Sequence, residues 1–142
     1  MVGAGELYEE VEAKIAELNL KNHVKLYGFQ KNPYGLLKAA KVMCMPSKWE
    51  GFGLAAVEGL AFGKPVVASP VGGLKKIVNE QCGKLCENKE DYLFEIEKLL
   101  TDISYYSKKS EGAKMRAKEY DNMISYARQI RELYSTVAKK AL

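Results

Sequence analysis

Short apolar segments alternate with helical patterns along this chain of 142 residues. The segments at residues 42–45 and 66–68 have no polar side, so a strand formed by either would be buried on both faces. A helical pattern lies between them, from Leu54 to Gly63, and a glycine in that place is typical of a helix C-terminus. Strands that alternate with helices in this way predict the α/β class, with a doubly wound parallel sheet.

Further patterns extend this alternation on both sides. They predict helices at about residues 6–18 and 74–78, a strand at 23–27, a short helix with Pro33 in its first turn, and mostly helix beyond a short segment at 83–86. The tail is amphipathic, with apolar residues at spacings of three and four: Tyr120, Met123, Ala127, Ile130, Tyr134 and Val137. We expect a single domain over residues 1–142.

Two glutamates eight positions apart, Glu50 and Glu58, flank a glycine-rich turn between a predicted strand and a predicted helix. Backbone N–H groups left free at a helix start attract anions, so a phosphate is expected at this turn. Carboxylates beside a phosphate would repel it unless they accept hydrogen bonds from hydroxyl groups, such as those of a sugar. Phosphate together with a polyol points to a sugar nucleotide.

Three glycine-rich turns, at residues 3–5, 51–53 and 72–73, follow predicted strands. Ligands of doubly wound sheets bind at the carboxyl ends of the strands, so the three turns are expected to line one crevice. A dinucleotide-binding oxidoreductase fits poorly, because the first turn lacks the third glycine of that fingerprint and has Tyr8 in its place.

The composition is that of a soluble globular protein, with 47% apolar and 28% charged residues. No apolar run is long enough to cross a bilayer, and no signal peptide opens the chain, so we expect a cytoplasmic protein. The net charge of +4 comes from the basic residues of the tail. They are spread along helical sequence, which favours a solvated helix face over nucleic-acid binding. Cys44, Cys82 and Cys86 have no metal-ligand spacing and are expected to be small apolar residues.

Five stretches stand in a definite order and spacing: residues 2–7, 24–28, 46–58, 63–69 and 71–73. As a set they resemble the C-terminal, donor-binding domain of GT-B-fold glycosyltransferases of the glycosyl-group-1 and sucrose-synthase-like type. The resemblance covers about residues 2–100 and implies the Rossmann-like half of a GT-B fold with a helical C-terminal tail. One position departs from the family's pattern, because an acidic residue common after the Gly-Gly turn is replaced by Lys75-Lys76.

The resemblance also implies roles for individual residues. Glu50 would lie against the donor sugar as the catalytic carboxylate, and Glu58 would hold the ribose hydroxyls. Backbone N–H groups of the loop and helix start would meet the phosphate or sugar oxygens: Gly51, Phe52, Gly53 and Leu54. Gly3 and Gly5 would lie near the diphosphate, and Gln30 and Lys31 near the nucleotide base.

The implied reaction moves a hexose from a nucleoside-diphosphate sugar to an acceptor hydroxyl, with a retaining outcome, no metal and no cofactor. An acceptor-binding N-terminal domain of the same enzyme is the implied partner, so the chain is expected to be a fragment that binds the donor but transfers nothing. The alternatives are a GT-B relative such as an epimerase or a phosphorylase, and a non-catalytic binding module. For the tail, the alternatives are dimerisation and weak association with the inner membrane face.

Overall fold

A computed structural model describes residues 1–121 together with Ile130, Arg131 and Tyr134. Most of the predicted amphipathic tail helix lies outside the described residues. The chain divides into two compact units, Met1–Ala39 and a second that begins at Ala40. The single domain expected from the sequence stays a prediction.

The first unit contains helix α1 (Tyr8–Glu17) and the short helix α2 (Tyr34–Ala39), as the periodicity predicts. The strand predicted at residues 23–27 is wrong, because the described residues of this unit contain no assigned strand. The segment is nevertheless paired. Tyr27 donates its N–H to the carbonyl of Met1 at 2.9 Å, and Gly3 donates to Gly28 at 2.8 Å. These bonds join residues 1–3 to residues 25–28, but they do not build the repeating ladder of a strand.

The second unit has a parallel sheet of three strands in the order β1 (Met43–Met45), β2 (Val66–Ala68) and β3 (Gly83–Leu85). Cys44 lies opposite Val67, which in turn lies opposite Lys84. Parallel neighbours need crossover connections, and helices supply them. These helices and the two that follow the sheet are α3 (Leu54–Ala61), α4 (Leu74–Ile77), α5 (Lys89–Thr101) and α6 (Ile103–Lys118).

Helices cover both faces of this sheet, as the doubly wound prediction requires. The central strand β2 is fully buried and alternates its side chains between two apolar layers. Val66 and Ala68 pack with residues of α3, α4 and the second half of α6. Val67 packs on the opposite face with Cys86, Leu99 of α5 and residues near the start of α6. The α/β class predicted from the alternating pattern is therefore confirmed.

A buried charged cluster fastens α6 to the amino end of β3. Lys109 is 4% exposed, and its ammonium donates to the carbonyls of Glu80 at 2.7 Å and Gly83 at 3.0 Å. The same ammonium lies 4.0 Å from the buried carboxylate of Glu95, which accepts a hydrogen bond from the Tyr105 hydroxyl. Each of these polar groups has a hydrogen-bond or ion-pair partner, so the cluster stabilises the contact between α6 and the sheet.

Among the described residues, no helix combines the length and the apolar character needed to cross a membrane.

Candidate functional site

The loop between β1 and α3 begins at the carboxyl end of β1 and carries Glu50. Gly53 ends the loop with φ of +96°, a left-handed conformation that favours glycine, and caps α3 without a side-chain hydrogen bond. The first turn of α3 contains no acidic residue. Within the described part of the chain, no acceptor meets the N–H groups of Leu54 and Ala55. Free N–H groups and the positive end of the helix dipole make this helix start suited to an anion.

The turn after β2 packs directly against this loop, backbone to backbone. Gly73 donates its N–H to the carbonyl of Gly51 at 2.9 Å. A Cβ on Gly72 would lie 1.6 Å from the carbonyl oxygen of Glu50, and one on Gly73 would lie 1.8 Å from that of Phe52. Only glycine allows this approach. The two turns at the carboxyl ends of β1 and β2 therefore adjoin, as the sequence predicts for them.

The two glutamates differ in position along the chain, since Glu50 precedes the start of helix α3 and Glu58 lies within it. Glu50 is half-buried, and its Cγ would lie 3.7 Å from a Cβ on Gly53. No hydrogen bond or ion pair to its carboxylate is found within the residues that the structure describes. Glu58 is the fifth residue of α3 and is also half-buried. Neither acid is fully exposed, so each is held close to the protein surface beside the helix.

The remaining predicted loop residues differ in exposure. Gly51 is exposed, Phe52 is 55% exposed and Leu54 is 68% exposed, whereas Gly53 is buried. The Phe52 ring meets the ring of Tyr120 edge-on, with the centroids 6.2 Å apart. The side chain of Phe52 therefore has a partner within the fold.

Sequence reasoning missed one residue at this edge of the sheet, Tyr92 of α5. Its hydroxyl lies 2.9 Å from the Ser69 hydroxyl and 3.4 Å from the Met45 carbonyl, so it joins the ends of β2 and β1. Burial raises the pKa of Tyr92. A tyrosine in an amphipathic helix carries no pattern that would reveal a contact with residues 23 and 47 positions away.

The predicted residues of the first unit form a separate group. Gly3, with φ of +136°, bonds to Gly28, so the turn at residues 3–5 adjoins the loop that leads to Gln30. The Gln30 amide donates to the Tyr27 carbonyl at 2.7 Å, and both Gln30 and Lys31 are exposed. Gly3 and Gly5 line a shallow cleft whose other residues are mostly apolar: Met1, Val2, Leu7, Tyr8, Val11 and Leu26.

No group of three or more metal-ligating side chains comes together in the described residues. The absence of a metal from the predicted reaction stays a prediction.

The sequence model of the family described as "Glycosyl transferases group 1" matches residues 1–130. The chain belongs to this family. The resemblance found from the five sequence motifs is therefore confirmed, and the chain is a member of a family of transferases.

Among curated relatives of this glycosyltransferase chain is the Escherichia coli UDP-Gal:alpha-D-GlcNAc-diphosphoundecaprenol alpha-1,3-galactosyltransferase. It is 30% identical over 137 residues, which cover 94% of this chain and 35% of that protein.

Solved glycosyltransferase structures share the fold. Anabaena HepE, in complex with UDP and glucose, is 25% identical with a TM-score of 0.83, over 95% of this chain and 39% of that one. The sucrose-phosphate synthase of Thermosynechococcus elongatus is 28% identical with a TM-score of 0.83, over 98% of this chain and 38% of that one. The chain thus spans less than two fifths of the length of each of these proteins.

Proposed function

We propose that this chain binds the nucleoside-diphosphate sugar from which a glycosyltransferase takes the sugar. The observation that carries the proposal is the helix start at Gly53, where free N–H groups face no acid in the first helical turn and two carboxylates flank the loop. A diphosphate can accept hydrogen bonds from the N–H groups, and the hydroxyl groups of ribose and hexose can donate hydrogen bonds to the carboxylates. The solved structures of HepE with UDP and with UDP-glucose support this donor chemistry.

Residues of the second unit bind different parts of the donor. Glu58 accepts hydrogen bonds from the ribose hydroxyls, and Glu50 accepts them from the transferred sugar. Backbone N–H groups of the loop and the helix start hold the diphosphate: Gly51, Phe52, Gly53 and Leu54. In the first unit, Gly3 and Gly5 approach the diphosphate, and Gln30 and Lys31 approach the base.

In the proposed reaction the bond between sugar C1 and the diphosphate oxygen breaks, and a bond from C1 to the acceptor oxygen forms. The departing diphosphate oxygen keeps the electron pair of the broken bond, carries the negative charge that develops there, and accepts the proton of the acceptor hydroxyl. Helix-start N–H groups stabilise that departing charge, so no metal ion is needed at the diphosphate. The anomeric configuration is retained. The named relatives are transferases, which favours this reaction over that of an epimerase or a phosphorylase.

A second partner is also proposed, the acceptor-binding domain of the full enzyme. The enzyme is proposed to act in the cytoplasm. Acceptor recognition lies in that domain, so the 142 residues alone bind the donor and transfer nothing. Incubation of the chain with a radiolabelled sugar nucleotide and candidate acceptors tests this point, and labelled product would contradict it.

Calorimetric titration with UDP, GDP and ADP tests the donor site directly. Glu58→Ala is expected to weaken binding of the preferred nucleotide at least about tenfold, since it removes hydrogen bonds to a charged acceptor. Glu97→Ala, which removes an exposed glutamate from α5, is the matched control and is expected to bind like the wild type. Equal affinities for the wild type and Glu58→Ala would remove the ribose role.

Titration with UDP and UDP-glucose separates the two glutamates. Glu50→Gln is expected to leave the affinity for UDP unchanged and to lower the affinity for UDP-glucose, because only UDP-glucose carries the hexose. A Glu50→Gln variant that binds both ligands like the wild type would contradict the sugar role of Glu50.

A further inference from the structure

The short helix α4 is capped at its carboxyl end by two side chains of the α6 region. Arg116 donates from Nε to the carbonyl of Ile77 at 3.0 Å and from a terminal nitrogen to the carbonyl of Lys76. The Tyr120 hydroxyl donates to the same Lys76 carbonyl at 3.1 Å. Carbonyls at a helix end have no partner inside the helix, so these bonds satisfy groups that would otherwise be left open.

Arg116 is itself held in place. Its side chain is only 20% exposed and is paired with Glu119, and its guanidinium carbon lies 5.3 Å from the centre of the Tyr120 ring. Arginine at this position therefore connects two carbonyls, a carboxylate and an aromatic ring at once. Its planar group of five donors suits this geometry, which a lysine cannot reproduce.

The opposite end of α4 meets the candidate donor loop. Gly73, which precedes α4, donates to the carbonyl of Gly51, and its backbone leaves no room for a Cβ against Phe52. The side chains of Leu74 and Ile77 approach Gly53 so closely that a Cβ there would lie 3.2 Å and 3.0 Å from them. Since α4 has only four residues, a shift at its capped end moves the end that supports the loop.

Tyr120 adds a second, direct connection. Its ring meets the Phe52 ring edge-on at 6.2 Å, while its hydroxyl binds α4. The loop that carries Glu50 is thus supported in two ways, through α4 by Arg116 and Tyr120 and through Phe52 by Tyr120 alone.

We propose that Arg116 and Tyr120 are positioning residues, which fix the loop at residues 50–53 for donor binding without touching the donor. The inference rests on the proposed function for the identity of the ligand, but the order of the loop is measurable without any ligand. The Lys76 side chain is exposed and only its carbonyl takes part, so the contact does not depend on the residue type at position 76.

The natural reporter is Trp49, which is the only tryptophan of the chain and lies next to Glu50. Its time-resolved anisotropy measures local motion of the loop. Arg116→Met is expected to lower the slowly decaying part of the anisotropy and to weaken UDP binding about tenfold, because the bonds that hold the carboxyl end of α4 are lost. Tyr120→Phe keeps the ring contact with Phe52 and loses only the bonds of the hydroxyl, so it is expected to weaken UDP binding only about threefold.

Two matched controls separate positioning from a general loss of charge. Lys118→Met removes an exposed cation from the same helix, and Lys76→Ala keeps the carbonyl that accepts the bonds. Both are expected to match the wild type in anisotropy and in UDP affinity. Arg116→Lys, which retains the charge but not the planar group, is expected to fall between the wild type and Arg116→Met.

The outcomes are distinguishable from failure of the proposed function. If the wild type does not bind UDP or any other nucleotide, the donor proposal fails, and the Trp49 anisotropy still decides the positioning role. If Arg116→Met and Tyr120→Phe lower the melting temperature but leave the anisotropy, and any nucleotide affinity, at wild-type values, Arg116 and Tyr120 are merely structural and the inference is overturned.

Discussion

The turns at residues 3–5 and 51–53 look alike in the sequence, since each is rich in glycine and leads into a helix. In the structure they differ in crowding. Gly53 has a positive φ and touches Leu74 and Ile77, and the adjoining Gly72 and Gly73 lie against loop carbonyls. Apart from its chain neighbours, no described residue has an atom within 4 Å of a Cβ built on Gly3 or Gly5. Packing thus requires glycine at Gly53 and at the adjoining Gly72 and Gly73, although Gly51 meets open space, whereas in the turn at residues 3–5 only the φ of Gly3 requires one.

The two helix starts also differ in charge. The first turn of α1 contains Glu9 and Glu10, whereas the first turn of α3 contains no acid. Carboxylates at a helix N-terminus stabilise the helix but offset the positive potential that a phosphate would meet. The difference indicates that α3 is the better anion site. It teaches that a glycine pattern locates a turn, while packing and charge decide whether the turn suits a diphosphate.

The largest expected effect is that of an added methyl group in the crowded turn. Gly72→Ala forces a residue with a Cβ into a φ of +46° and against the Glu50 carbonyl. Strain and overpacking together are expected to lower the free energy of unfolding by about 2 to 5 kcal/mol. Gly5→Ala, which enters open space, is expected to change it by less than about 0.5 kcal/mol. Urea unfolding measures both, and equal losses would erase the distinction between the turns.

Alkaline pH is expected to weaken the sheet that supports the crowded turn. Burial, followed by the charges of Asp91 and Glu95, raises the pKa of Cys86 from 9.0 to about 11. Between these pH values the Cys86 thiol keeps its proton in the folded state, whereas the unfolded chain loses it. The contribution of Cys86 to the free energy of unfolding is therefore fully present below about pH 9 and is lost as the pH rises to about 11. The loss amounts to at most about 2 to 3 kcal/mol. Urea unfolding followed by far-ultraviolet circular dichroism measures this slope, and a Cys86→Ala variant with the same slope would contradict the assignment.

A charge placed at the start of α3 tests the anion site. Ala55→Glu adds a carboxylate to the exposed first turn, which imitates the start of α1. The acid is expected to stabilise the helix by about 0.3 to 1 kcal/mol and to weaken UDP about tenfold, because it repels the diphosphate. Ala55→Gln is the neutral control of similar size. UDP titrations at low and high salt provide the measurement, and an undiminished affinity of Ala55→Glu would place the diphosphate elsewhere.

The smallest effect compares two exposed phenylalanines. Phe52 is 55% exposed and meets Tyr120, whereas Phe29 in the first unit is 77% exposed. Phe52→Ala is expected to cost about 0.5 to 1.5 kcal/mol more than Phe29→Ala, because an edge-on aromatic pair adds that much beyond burial. Thermal unfolding of the two variants side by side checks the difference. If Tyr120→Ala removes it, the ring pair is its source.

Much of the fold could be predicted because local patterns and burial agree. The apolar segments at residues 42–45 and 66–68 contain strands β1 and β2, and the helix predicted at residues 6–18 corresponds to α1. The strand predicted at residues 23–27 is wrong because an alternating local pattern does not fix the hydrogen-bonded ladder that a strand requires. The turn at residues 51–53 and its helix were also predictable, since glycine and helix periodicity mark them locally.

The sequence by itself determined the α/β class, the family and the position of the glycine-broken turn between the two glutamates, since these depend on periodicity and on motifs of adjacent residues. Only the tertiary structure decided which glycines are crowded, that Tyr92 joins two strand ends, that Arg116 and Tyr120 cap α4, and that Tyr120 contacts Phe52 of the loop. These contacts join residues 23 to 68 positions apart. Chain folding brings such residues together, and no local pattern records which of them will meet.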